Sequence, residues 1–155
     1  MRKWLAISAL IVALDIYSKF LVQAAFDYGD HLVITSFFDL VRYHNEGAAF
    51  SFLANAGGWQ KQFFSGISML AIVVISYLLR KHSSQKLFCV ALALVLGGAI
   101  GNLYDRLTLG YVVDFLFFHY QGFAWPAFNV ADSAICLGVA LLFLDSFKQP
   151  KDAAA

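Results

Sequence analysis

The stretch WPAFNVAD, residues 125–132, opens an apolar run that continues to Phe147. It places Asn129 and Asp132 three residues apart, on one face near the start of a predicted helix. A carboxylate costs roughly 2.5–3.5 kcal/mol to insert near a bilayer centre and less toward its edge, so such a group is by default a functional-site hypothesis. A second carboxylate, Asp114, lies just upstream on the strongly apolar flank YVVDFLFF. The pattern predicts that two acids meet at a membrane surface.

The composition indicates an integral membrane protein. Hydrophobic residues make up 61% of the 155 residues, mean hydropathy is +0.70 and only 14% of residues are charged, against roughly 25% in soluble domains. A spanning helix needs about 20 apolar residues, so the chain has room for four or five. The net charge of +1 and the absence of a compact Lys/Arg cluster give no reason to expect a nucleic-acid partner.

Four apolar runs predict four membrane helices, at about 4–25, 60–79, 87–106 and 128–147. The first run could instead be a secretory signal peptide, since Arg2 and Lys3 precede its apolar core. Asp15 within that core argues against this, and removal of the run would leave an odd number of helices. With four helices, the basic clusters all fall on one side of the membrane, which predicts that both termini are cytoplasmic.

The segment at about 26–58 has a different character. Charged and polar residues are scattered there among the short β-rich pieces LVI and FFDLVRY, with glycines between them. The segment is too polar to span a membrane and too apolar for a free loop, so we expect a small sheet lying on the membrane surface. The predicted fold is a mainly α membrane protein of one domain, residues 1–155, in which a four-transmembrane-helix bundle carries a small extracytoplasmic β-rich cradle.

Polar side chains in the first predicted helix share one face. Asp15, Ser18 and Lys19 project from the same side because a helix repeats its face every three to four residues. One interpretation is a local salt bridge that stabilises the helix end, with Lys19 snorkelling to the membrane surface. The other interpretation is a functional role, and both can hold at once.

The third predicted helix carries two stripes. Gly97 and Gly101 form a small-xxx-small pattern that favours close helix packing. Packing does not explain why Asn102, Asp105 and Arg106 follow within one turn near the outer end of the helix. We therefore expect these three side chains to face a polar cavity or a partner. The stripe with a spacing of four consists of Gly98, Asn102 and Arg106.

Two neighbouring carboxylates have a specific chemistry. If Asp114 and Asp132 come within a few ångströms, like-charge repulsion raises the pKa of one, and the pair shares a proton at neutral pH. One carboxylate then takes a proton from water while the other protonates the scissile carbonyl, which is the aspartic-protease arrangement. Which acid has which role stays open. Taken alone, Asp132 could also be a helix cap.

No metal or other cofactor is predicted for this chemistry. The sequence has no HExxH pair, and its histidines lack the spacing of metal ligands. The four histidines are His31, His44, His82 and His119.

Five motifs follow one another along nearly the whole chain: DIYSK at 15–19, NEGAAFSF at 45–52, GGAIGNLYDR at 97–106, VVDF at 112–115 and FNVADSAI at 128–135. In this order, and with four membrane helices, they resemble lipoprotein signal peptidase, or signal peptidase II, of bacteria. Five ordered motifs are far more specific than any one of them.

The resemblance implies an aspartic endopeptidase of the bacterial cytoplasmic (inner) membrane. Such an enzyme removes signal peptides from diacylglyceryl-modified prolipoproteins by cleaving before the lipidated cysteine, and globomycin-type cyclic peptides block it. The expected partners are therefore this substrate, membrane lipid and globomycin-type inhibitors, and we expect the chain to act as a monomer. Carried over by motif, the catalytic pair is Asp114 and Asp132. The substrate-binding or supporting positions are Asp15, Lys19, Asn45, Gly98, Asn102, Arg106, Asn129 and Ala131.

Two alternatives come from other functional classes. A small transporter or proton-relay protein would also use intramembrane Asp, Lys and Arg residues. Such a pathway needs polar groups through the full membrane depth, whereas the second predicted helix is almost bare and the polar residues gather toward the outer side. A structural or assembly subunit would tolerate asparagine at positions 114 and 132.

Overall fold

The computed structural model describes residues 1–47 and 59–147. Residues 48–58 of the predicted β-rich segment, and with them the end of the second motif, lie outside the described residues. The described chain is mainly helical with a small antiparallel sheet. Its elements are α1 (Arg2–Ala25), β1 (His31–Thr35), β2 (Phe38–Asn45), α2 (Gln60–Lys81), α3 (Lys86–Thr108), β3 (Val112–Tyr120), β4 (Phe123–Ala124) and α4 (Val130–Ser146).

Helices lie on all four apolar runs of the sequence. Within the described ranges, three of them, α1, α2 and α3, are long and apolar enough to cross a membrane by length and composition. The fourth, α4, has 17 residues. Helix α3 is the central one, since it packs against α1, α2 and α4 and has most of its residues buried.

Glycines let α3 approach its neighbours closely. A Cβ atom added at Gly97 would lie 2.9 Å from the carbonyl oxygen of Ser8 in α1, and one added at Gly101 would lie 2.5 Å from a carboxylate oxygen of Asp15. At Gly98 it would collide with the carbonyl oxygen of Ala131 in α4. The small residues of α3 therefore hold α1 on one side and the start of α4 on another.

The two ends of the helix bundle differ in polarity. An apolar cluster fills the end formed by the start of α1, the end of α2 and the first half of α3. The later turns of α1 and α3 instead carry buried polar groups, among them Asp15, Lys19, Asn102 and Asp105. The apolar cluster consists of Trp4, Ile75, Leu79, Cys89, Leu92, Ala93 and Leu96.

The four strands form one antiparallel sheet in the order β1-β2-β3-β4. The sequence led us to expect a sheet formed by the segment at about 26–58. The sheet is larger than that, because β3 and β4 come from the connection between α3 and α4. Strand β3 pairs with β2, with a register shift between Leu40 and Tyr43. It also exchanges backbone hydrogen bonds with Phe128. The sheet therefore joins the two long connections and ends beside the start of α4.

Candidate active site

Asp132 is fixed at the first turn of α4 by a reciprocal cap. The side chain of Asn129 accepts a hydrogen bond from the Asp132 backbone N–H at 2.9 Å, and the Asp132 carboxylate accepts one from the Asn129 backbone N–H at 3.3 Å. The second carboxylate oxygen of Asp132 accepts from the side-chain amide of Asn102 at 2.8 Å. Asp132 thus caps the helix and also faces the polar stripe of α3.

Asp114 lies on β3 and is only 3% exposed. Its two carboxylate oxygens accept hydrogen bonds from the side-chain amides of Asn45 at 3.0 Å and Asn129 at 2.8 Å. Burial, followed by the negative charge of Asp132, raises the pKa of Asp114 to about 7, although the two amides oppose this rise. The site can therefore keep a carboxyl proton at neutral pH.

Asn129 brings the two acids together. Its side-chain N–H donates to Asp114 and its backbone N–H donates to Asp132, so both carboxylates lie within hydrogen-bond reach of one residue. The same side chain donates to the carbonyl oxygen of Val113 and to the side-chain oxygen of Asn102, both at 3.3 Å. One residue thus fixes a strand carboxylate and a helix carboxylate relative to each other.

Lys19 is buried at 1% exposure, so of the two interpretations of this residue the one in which it snorkels to the membrane surface was wrong. Its Nζ lies 2.7 Å from a carboxylate oxygen of Asp15, 3.0 Å from one of Asp105 and 3.0 Å from the side-chain oxygen of Asn102. The local salt bridge to Asp15 is confirmed. Three buried oxygens replace the water that the ammonium would otherwise reach.

Asp105 was not among the supporting residues taken from the motifs. It is buried at 3% exposure, and its carboxylate accepts a hydrogen bond from the Val113 backbone N–H at 3.1 Å as well as pairing with Lys19. Its position three residues after Asn102 was the available signal, because that spacing puts both side chains on one side of α3.

Asp15, Ala131 and Gly98 connect the helices behind the acids. The second carboxylate oxygen of Asp15 accepts from the Ala131 backbone N–H at 2.9 Å. Ala131 is fully buried, and the carbonyl group of Ala131 occupies the space that Gly98 leaves by having no side chain. The role of Ala131 is thus carried by its backbone and by its small size.

Arg106 lies at the other edge of the polar cluster. Its guanidinium donates to the carbonyl oxygen of Gly47 at 2.9 Å and is centred 5.6 Å from the middle of the Phe64 ring. This residue therefore links α3 to the chain just after β2, the strand that ends at Asn45, and to the first turns of α2.

A cavity of about 450 Å³ opens beside Asp132. Polar groups converge at one part of its wall, and the rest of the wall is mainly apolar. Such a space suits an apolar chain whose peptide group is presented to the acids. The polar wall is formed by Asn45, Asn102, Arg106, Asp132 and Ser133, and the apolar wall includes Phe64, Ile67, Ala71, Val95, Ala99, Val112, Trp125, Phe128 and Ile135.

The predicted site residues all lie in the described ranges, and the structure gathers them at one end of the bundle. Among residues 1–47 and 59–147, no three His, Cys, Asp or Glu side chains are arranged to hold a metal ion. A buried acid, Asp114, and a half-buried one, Asp132, lie next to an apolar cavity, and such a pair can activate water and protonate a carbonyl oxygen when it holds one proton.

Comparison with known proteins agrees with this chemistry. The family model described as signal peptidase (SPase) II matches residues 7–148. Proteins named lipoprotein signal peptidase from Ralstonia nicotianae and Paraburkholderia phytofirmans are 53% and 51% identical over 146 residues, covering 94% of this chain and 84% and 85% of theirs. A bacterial membrane enzyme solved by the in meso method at 2.3 Å resolution superposes with a TM-score of 0.87 at 28% identity, over 99% of this chain and 92% of that one.

Proposed function

This chain belongs to the signal peptidase II family, and we propose that Asp114 and Asp132 are its catalytic pair. It is an aspartic peptidase, a bacterial membrane protein that removes signal peptides from prolipoproteins. The transporter or proton-relay alternative is not favoured, since relatives at about 50% identity carry the peptidase name. What supports the catalytic pair is that Asn129 holds both carboxylates.

The proposed reaction begins with one proton on the pair and a water molecule between the two carboxyl groups. The ionised carboxylate takes a proton from this water as the water oxygen attacks the scissile carbonyl carbon. At the same time the protonated carboxyl gives its proton to the carbonyl oxygen. In the second step the roles reverse. The carboxyl that took a proton from water gives it to the leaving amine as the carbon–nitrogen bond breaks. The other carboxylate takes a hydroxyl proton from the tetrahedral intermediate, so the pair again holds one shared proton.

We propose that the substrate cysteine already carries its diacylglyceryl group and that cleavage occurs just before it. The acyl chains would remain in the bilayer, which brings the scissile bond to the outer interface and to the acids. The apolar cavity beside Asp132 would hold an apolar part of the substrate, and the five residues of its polar wall would orient the peptide. A globomycin-type cyclic peptide would occupy the same space.

In the proposed placement, the chain is one domain, residues 1–155, with four helices that span the bacterial cytoplasmic (inner) membrane. Both termini lie in the cytoplasm. At 1.5 Å per residue, the 17 residues of α4 extend about 26 Å, close to the roughly 30 Å of a hydrocarbon core. The sheet and the acids then lie on the outer side, in contact with lipid, and the protein acts as a monomer.

The test uses the purified full-length protein in detergent with a diacylated prolipoprotein, with and without globomycin. We expect Asp114→Asn and Asp132→Asn each to lower kcat by at least about a thousandfold, since each removes a proton-transfer group. Asp145→Asn, near the opposite end of α4, is the matched control and should cleave at the wild-type rate. Retained cleavage by pure Asp132→Asn protein would contradict the catalytic pair.

A further inference from the structure

The ammonium group of Lys19 uses its full hydrogen-bonding capacity inside the protein. A lysine has three N–H donors, and Nζ lies within 3.0 Å of three buried oxygens, one each from Asp15, Asp105 and Asn102. These oxygens come from α1 and from two positions of α3. The group is therefore held from three directions and leaves no donor for solvent or substrate.

Each of the three partners of Lys19 also holds a part of the chain that carries a catalytic acid. Asp15 accepts from the backbone N–H of Ala131, the residue before Asp132. Asn102 donates to Asp132 itself. Asp105 accepts from the backbone N–H of Val113, the residue before Asp114.

Of these three links, the one through Asp105 reaches β3 directly, because the partner of Lys19 itself accepts from the β3 backbone, whereas Asn102 reaches β3 only through Asn129. The other two lead to α4. The separation of the two acids therefore depends on how firmly β3 is held against this lysine as well as on Asn129. Lys19 is also electrostatically coupled to the pair, because its positive charge lowers the pKa of Asp114 against the effect of burial.

We propose that Asp105 is a positioning residue for the reaction: its carboxylate, paired with Lys19, holds β3 against α1 and α3 and so sets the distance between Asp114 and Asp132. The inference rests on the proposed catalytic role of that pair. A purely structural ion pair between α1 and α3 is the competing explanation. The competing explanation predicts a change in stability alone, whereas a positioning role predicts a change in proton transfer.

The test variant is Asp105→Asn, which keeps the size of the side chain and an oxygen for the Val113 N–H but removes the charge that pairs with Lys19. A displacement of about 1 Å at a reacting group can cost on the order of a hundredfold in rate. We expect kcat to fall between about tenfold and a hundredfold. KM should stay within about twofold, because Asp105 is absent from the cavity wall.

The pH profile of kcat distinguishes positioning from stability. Carboxylates that move apart repel each other less, so the shared proton is lost more easily. We expect the alkaline limb of the profile to move to lower pH in Asp105→Asn. A kcat within twofold of wild type, a loss confined to KM, or a lowered kcat with an unmoved pH profile would each overturn the proposal.

Two further variants complete the experiment. Asp114→Asn is assayed in parallel, and activity in that variant would refute the catalytic pair itself and not the role of Asp105. Asp105→Glu is also measured, because loss of the negative charge in Asp105→Asn lowers nearby carboxyl pKa values even without displacement. Asp105→Glu keeps the charge but lengthens the side chain by one methylene, so a shift in this variant comes from displacement. The same loss of kcat and the same shift of the alkaline limb are expected, and a wild-type kcat and profile in Asp105→Glu would overturn the proposal.

Discussion

Replacement of Asn45 by alanine should shift the pH dependence of cleavage in a known direction. The side-chain amide of Asn45 donates to the Asp114 carboxylate at 3.0 Å, and this bond favours the ionised form and lowers the pKa of Asp114. Hydrogen bonds to charged groups are worth about 1.5–3 kcal/mol, and about 1.4 kcal/mol corresponds to one pKa unit. Because water from the adjacent cavity can partly replace the lost donor, we expect the pKa of Asp114 to rise by about one unit.

The assay is the rate of cleavage of a diacylated prolipoprotein by the purified protein between about pH 5 and pH 9. The profile of kcat/KM reports ionisations of the free enzyme, which is the state that the structure describes. In the wild-type protein the alkaline limb should fall near pH 7, where Asp114 loses its proton. In Asn45→Ala the limb should move up by about one pH unit.

The position of the limb, and not the absolute rate, decides the outcome. Asn45 also accepts a hydrogen bond from the Gly47 backbone N–H, and loss of that bond can lower activity equally at every pH. Gln85→Ala, at the far end of α3, is the control and should leave the limb in place. An unchanged limb in Asn45→Ala, or one at lower pH, would refute the idea that this amide stabilises the ionised acid.

Two other predictions follow from the same geometry. Gly98→Ala should lower kcat by about tenfold or more, because its Cβ collides with the Ala131 carbonyl group and moves the start of α4, while Gly66→Ala, which meets no atom within 4 Å, should be silent in the same assay. Asp114→Asn should alter the pH dependence of stability. Since the pKa of Asp114 is raised from 3.8 to about 7 in the folded protein, its protonation stabilises the fold fully below about pH 4, and this stabilisation is lost as the pH rises through 7. Between pH 4 and pH 8, the free energy of unfolding of the wild type should fall relative to that of the variant by up to roughly 4 kcal/mol. Thermal or denaturant unfolding measures this difference. A gap that does not change with pH would contradict the raised pKa.

Local spacing predicted only part of the geometry of the helix-borne half of the candidate site. Asn102 and Arg106 lie four residues apart within α3 and therefore share a helix face. Asn129 was expected to share a helix face with Asp132, but it lies just before α4 in an extended conformation, as the N-cap. The structure adds that Asn129 and Asp132 form a capping box, which their spacing in the sequence alone did not show.

The strand-borne half could not be predicted from spacing. Asn45 and Asp114 are separated by 69 positions, and their contact depends on the pairing of two strands from different connections. Only the resemblance to a family pointed to Asn45. The snorkelling interpretation of Lys19 was wrong for a related reason. Spacing within α1 does not show whether acceptors from another helix reach the ammonium group, as Asp105 and Asn102 do.

The register of β2 against β3 shows how little separates a working site from an unassembled one. From Phe38 to Leu40 the β2–β3 pairs keep a constant register, with Leu40 opposite Leu116. Between Leu40 and Tyr43 the β2 strand contains one extra residue, so that Tyr43 lies opposite Asp114. Opposed residues share a face of a sheet, and so do residues two apart along a strand, so the shift puts Asn45 on the same face as Asp114. Without it, Arg42 would lie opposite Asp114 and Asn45 would point to the other face, because a slip of one residue exchanges the two faces. A bulge of this kind re-aims side chains beside active sites. Here it supplies one of the two amide donors that keep a buried carboxylate able to give up its proton near neutral pH.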